Sequence, residues 1–73
     1  DKATIQYFLE ADSEVRIYLL NSNGLLIKAF LHETQTAGDH SLDIELDSLP
    51  SGVYFYTIET SMGKESKRLV ISK

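Results

Sequence analysis

The sequence has no Cys and no Trp, and only one Pro, one Met and four Gly in 73 residues. The missing Cys excludes a disulfide scaffold, a Cys-type zinc site and a thiol nucleophile. Positive charge is also short: seven Lys and Arg stand against eleven Asp and Glu, a net charge of -4. A phosphate- or nucleic-acid-binding module would normally be basic. No apolar run approaches the length of a bilayer-spanning helix, and no charged-then-apolar amino terminus reads as a signal peptide. Because the chain starts at Asp1 rather than Met, it is expected to be a processed or excised piece of something longer. Length is limiting too. A domain of this size hides roughly 60% of the surface its unfolded chain exposes. Ordering costs on the order of 1.5 kcal/mol per residue, so gain and cost nearly cancel. That favours one compact sandwich or barrel and leaves little material for a deep catalytic pocket.

What is present is alternation with period two. Ile5, Tyr7 and Leu9 share one face, and Val15, Ile17 and Leu19 repeat the pattern with Arg16 and Tyr18 turned the other way. Asn23-Gly24 is a hairpin signal, since both residue types tolerate positive φ. Leu25 to Leu31 reads as a third strand, and His32 to Asp39 as a polar connection with Gly38 near its end. Leu42, Ile44 and Leu46 alternate with Asp43, Glu45 and Asp47, a strand with one dry and one wet face. Pro50 sits in a turn, where its missing N–H costs no ladder bond. Val53 to Thr60 is dense in aromatic and β-branched residues, Ser61 to Lys64 turns, and Ser66 to Ser72 closes the chain. The spacing predicts an all-β, antiparallel sandwich of six to seven strands.

Residues that could carry chemistry are few. His32-Glu33-Thr34-Gln35-Thr36 opens like a zinc-protease motif, but the second His is replaced by Thr36 and the segment reads as loop. His40 reads as a surface or edge residue. Asp43, Glu45 and Asp47 could offer carboxylates to a weak Ca²⁺ site, although a solvated strand face explains them fully. No Gly-x-Ser-x-Gly elbow activates a serine. Tyr7, Tyr18, Tyr54 and Tyr56 would make a sugar-stacking platform only if several faced solvent together. Neither an enzyme nor a cofactor is expected.

Two local features rise above this background. In Leu49-Pro50-Ser51-Gly52-Val53-Tyr54-Phe55-Tyr56-Thr57-Ile58, Gly52 permits a tight turn, and Tyr54, Tyr56 and Ile58 share a face. The Tyr54 placement resembles the tyrosine corner of immunoglobulin-like sandwiches, whose phenol bonds to upstream backbone. The second feature is the tail. Lys64, Lys67, Arg68 and Lys73 against Glu65 alone give the last eleven residues +3, while the first 62 carry -7. A basic last strand serves equally as a protected edge or as an address read by another protein.

Leu49-x-x-Gly52-x-Tyr54-x-x-x-Ile58, a Gly-containing turn and the terminal Lys67-Arg68-Leu69-Val70-Ile71-Ser72-Lys73 together resemble the type IX secretion system C-terminal sorting domain. Ala3-Thr4-Ile5-Gln6-Tyr7-Phe8-Leu9, Val15-Arg16-Ile17-Tyr18, Asn23-Gly24 and Ala37-Gly38-Asp39-His40 follow that family's order, so the likeness covers essentially the whole chain. The resemblance implies an immunoglobulin-like β-sandwich, one domain over 1–73, at the carboxyl end of a larger cargo protein of Bacteroidetes-type bacteria. It implies a signal that takes cargo from the periplasm through an outer-membrane translocon to the surface or medium. The resemblance also implies a cell-surface sortase, which in that family commonly removes the domain, often attaching the cargo to an anionic lipopolysaccharide. By position, Leu49, Gly52, Tyr54 and Ile58 would form the fold-defining motif, and Lys67, Arg68, Leu69, Val70, Ile71 and Lys73 the recognition strand. The family's opening Pro-Asn-Pro-like segment is missing, and a seventh strand is expected to be missing with it. Flagellar-hook scaffolding immunoglobulin-like modules and accessory modules of secreted hydrolases share the Ser-Gly-Val-Tyr-Phe-Tyr corner. They would make the domain a structural spacer, and a carbohydrate-binding module is a third reading. An exposed edge strand leaves room for a homodimer.

Overall fold

The computed structural model describes residues 2–73. Six antiparallel strands follow one another: β1 (Lys2–Leu9), β2 (Ser13–Asn21), β3 (Leu26–Gln35), β4 (Gly38–Glu45), β5 (Gly52–Thr60) and β6 (Gly63–Ile71). They form two sheets of unequal width. β1 pairs with β4, and the larger sheet runs β3-β2-β5-β6. The chain changes sheets after β1, β3 and β4, as expected of a sandwich that pairs distant strands.

The alternation seen in the sequence becomes the core. Val15, Ile17 and Leu19 are fully buried on β2, facing Ile5 and Leu9 of β1 and Ile44 and Leu46 at the β4 end. Leu49, Tyr54 and Ile71 complete the buried apolar set. Each such side chain contributes roughly 1.5–3 kcal/mol on burial. Thr57 points away from this core, yet it too is buried. It is covered by its cross-strand neighbours Tyr18 and Ser66 and bonded to Ser66 Oγ at 2.8 Å.

Three expectations change. The segment from His32 to Gln35 is strand, not connection: Ser13, Glu14, Val15 and Arg16 pair with Gln35, Thr34, Glu33 and His32. β3 is an edge strand, so polar side chains need no dry face there and the backbone ladder decides. The last strand likewise starts earlier, at Gly63, directly across from Thr60. In the β2–β3 hairpin only Gly24 has positive φ, at 85°, and Asn23 does not. Asn21 holds this turn through its Oδ1, which accepts from the N–H groups of Asn23 and Leu25 at 2.9 and 3.0 Å. A turn followed by a left-handed Gly replaces the two-residue form that Asn-Gly suggests.

Candidate functional site

The segment Leu49–Ile58 builds its corner as its residue types demand. Leu49 and Tyr54 are buried, Ile58 is half-buried against the core, and the Tyr54 hydroxyl donates to the Pro50 carbonyl at 2.7 Å. The phenol thus closes the loop that leads into β5, as a tyrosine corner does. Gly52 has no positive φ, and a Cβ there would meet Tyr54 Cε2 at 3.7 Å, an ordinary contact distance. Neither a positive φ nor a lack of space therefore accounts for a glycine at this position.

β6 divides its residues between two faces. Leu69 and Ile71 turn inward, half-buried and buried, opposite Tyr54 and Gly52. Arg68 and Val70 turn outward, opposite Phe55 and Val53, with Val70 53% exposed. Lys67 is exposed on the inner side beside Tyr56, 3.7 Å from Glu65. Lys73 is held rather than loose: its backbone N–H donates to Ser51 Oγ at 3.0 Å and its Nζ to the Asp47 carbonyl at 2.6 Å. Of the six tail residues, four present themselves at the surface and two belong to the core.

The other residues with chemical potential fall apart in space or are engaged locally. His32 lies 3.7 Å from Glu14. His40 stacks on Tyr7, with centroids 5.4 Å apart, and its Nε2 lies 2.6 Å from the Thr36 carbonyl. Asp43 accepts from Thr4 Oγ1 at 2.7 Å. Among the described residues no group of three His, Asp or Glu could hold a metal ion. The tyrosines are divided as well. Tyr7 stands over His40, Tyr18 faces outward near Arg16, and Tyr54 and Tyr56 lie on the inner side of β5, so they form no common exposed platform.

Tyr7 is a phenol with a displaced titration. Burial raises its pKa above 10.0; the hydrogen bond to Gln35 opposes this and the Glu33 charge adds to it. The folded state then holds this proton more tightly than the unfolded chain. The resulting stabilisation is complete below the unfolded pKa and lost as pH rises through the folded value. Tyr7→Phe is expected to flatten the fall of melting temperature above about pH 10. An alkaline arm identical to that of the parent would assign the effect to another group.

The domain thus presents a buried tyrosine corner at the start of β5 and, beside it, a largely exposed basic strand, β6. The secretion system C-terminal sorting domain family matches residues 1–72, and the chain belongs to it. No curated protein and no solved structure matches the chain. The domain is therefore a type IX sorting signal, the tail by which that machinery recognises a secreted cargo protein, rather than a structural spacer. Its family is not an enzyme family.

Proposed function

We propose that the machinery reads the surface of β6, with Lys67, Arg68, Val70 and Lys73 making the contact and Leu69 and Ile71 holding the strand in place. The observation that carries this reading is the division of the strand into an outward Arg68–Val70 row and an inward Leu69–Ile71 row. Leu49, Gly52, Tyr54 and Ile58 define the fold that presents it. In the same reading the cargo crosses the periplasm and the outer-membrane translocon, and a cell-surface sortase then removes the domain. Pairing of two copies through an exposed edge belongs to this set of proposals.

The inward positions dictate the choice of test. Deleting the end of the chain from Leu69 onward would remove Ile71 from the core and confuse folding with recognition. Charge reversal avoids this. Fused to an exported fluorescent protein in a host with this secretion system, the domain should deliver it to the surface or medium. The double variant Lys67→Glu, Arg68→Glu should lose delivery, while its melting temperature stays within about 4 °C, as for exposed substitutions. Undiminished delivery would remove these two residues from the signal. Lys28→Glu, a charge reversal on β3, serves as the control and should deliver normally.

A further inference from the structure

The outer face of the four-stranded sheet is written in rows that cross all its strands in the order β3-β2-β5-β6. His32, Arg16, Glu59 and Lys64 stand opposite one another in the first row, with Arg16 3.4 Å from Glu59. Ala29, Tyr18, Thr57 and Ser66 form the second. Leu26, Leu20, Phe55 and Arg68 form the third, and Val53 and Val70 pair just beyond it on β5 and β6. Outward positions of a solvated antiparallel sheet are normally polar. The first row obeys that rule, and the third breaks it.

Leu20, Leu26, Val53, Phe55 and Val70 thus gather at one end of this face. Leu26, Val53 and Val70 are 62%, 40% and 53% exposed, and Leu20 and Phe55 are half-buried. Contiguous exposed apolar surface rimmed by polar groups marks an interaction site. The face points away from the small sheet, and a further strand joining either sheet would lie in that sheet's plane and leave it open. Arg68 is the one charge in the group, exposed and without a hydrogen-bond or ion-pair partner among the described residues. Under an apolar cover alone its guanidinium would lose water and gain nothing, so a fitting occupant brings an acceptor. A carboxylate matches the guanidinium fork best.

We propose that this apolar end of the outer face is where the protein that reads the signal docks, with an apolar surface bearing a carboxylate opposite Arg68. The proposal rests on the reading of β6 and extends the contact from that strand across β5, β2 and β3. Aromatic and aliphatic side chains beside an arginine are the composition expected at the centre of such a contact. A second copy of the domain fits poorly. A twofold pairing of two such faces with aligned strands sets the third row against itself, in the same or the reverse order. Arg68 then meets either the copy's own Arg68 or its Leu26, and no carboxylate. The outward carboxylates Glu14 and Glu59 stand at the other end of the face, 3.7 Å from His32 and 3.4 Å from Arg16. The occupant is therefore a different protein.

The test uses the full-length cargo in a host with this secretion system and reads delivery to the surface or medium. Leu26→Glu on β3 and Val53→Glu on β5, both away from β6, should each lower delivery about tenfold or more. The domain's melting temperature should stay within about 4 °C. Leu26→Gln, which adds no charge, should lower delivery as well. Lys64→Glu, on the same strand as Arg68 but in the charged row, should deliver normally, and equal loss there would make the effect one of net charge and overturn the proposal. Arg68→Leu enlarges the apolar contact and removes the cation; it should lose delivery, and a gain would overturn the carboxylate. Normal delivery by Leu26→Glu and Val53→Glu, with loss in the Lys67→Glu, Arg68→Glu pair, would leave β6 as the signal and overturn the face. Undiminished delivery by that pair would instead remove the reading on which the face rests. A cargo that sediments as a dimer, and as a monomer with Leu26→Glu, would overturn the assignment to a different protein. So would protection of Val53→Cys from maleimide in the free cargo while Lys64→Cys reacts, since the cargo itself would then cover the face.

Discussion

Tyr54→Ala is expected to destabilise the domain by about 3–5 kcal/mol, the range for removing a large buried aromatic. The ring is 6% exposed at the point where β5 leaves its turn, and its hydroxyl ties that turn to the Pro50 carbonyl. A chain of this length has a total stability of about 4–11 kcal/mol at ordinary values per residue. The substitution therefore removes about a quarter or more of the margin and should lower the melting temperature by at least about 12 °C. Tyr54→Phe separates the two contributions. It keeps the ring and loses the bond to Pro50, which is exposed enough for water to replace the phenol. A loss of about 0.5–1.5 kcal/mol is expected. Thermal and urea unfolding of the two variants check this directly, and equal losses would show that the hydroxyl, not the ring, holds the corner.

The second large effect is expected at Ile17. Its side chain is 0% exposed, and its strand is paired on both sides, with Leu31 of β3 and Ile58 of β5 as cross-strand partners. Close-packed neighbours on both sides leave little freedom to collapse into a void, so Ile17→Ala should cost about 2–5 kcal/mol, and Ile17→Val about 0.5–1.5 kcal/mol. A graded fall in the urea midpoint across the two variants, with the slope unchanged, would mark a cavity effect. An Ile17→Ala midpoint equal to that of Ile17→Val would mean that the core closes around the gap.

Much of this fold was legible because small β domains write their inner face as every second residue. Ile5 and Leu9, Val15, Ile17 and Leu19, and Ile44 and Leu46 announce themselves that way, and all are buried. The tyrosine corner was legible as well, since the spacing from Pro50 to Tyr54 lets the phenol reach back. The second half of the edge strand β3 escaped the same reasoning. His32-Glu33-Thr34-Gln35 has no dry face to reveal it as strand, and only its pairing with Ser13 to Arg16 shows it. At the tail, composition exposed the charge but not its arrangement. Leu69 and Ile71 look like part of a display strand until the register sets them against Tyr54 and Gly52.

The register also governs the order of events as the chain folds. β2–β3 and β5–β6 are joined by tight turns, and hairpins of this kind form in ~1–10 μs. β1 must find β4 across more than half the chain, Lys2 opposite Glu45, and β2 must find β5 across both β3 and β4. Non-local pairings of this kind put all-β domains on a millisecond-to-second clock. An isolated hairpin is at best marginally stable in water, so the β5–β6 pair, and with it the basic strand, becomes lasting structure only when the slow step buries Leu69 and Ile71.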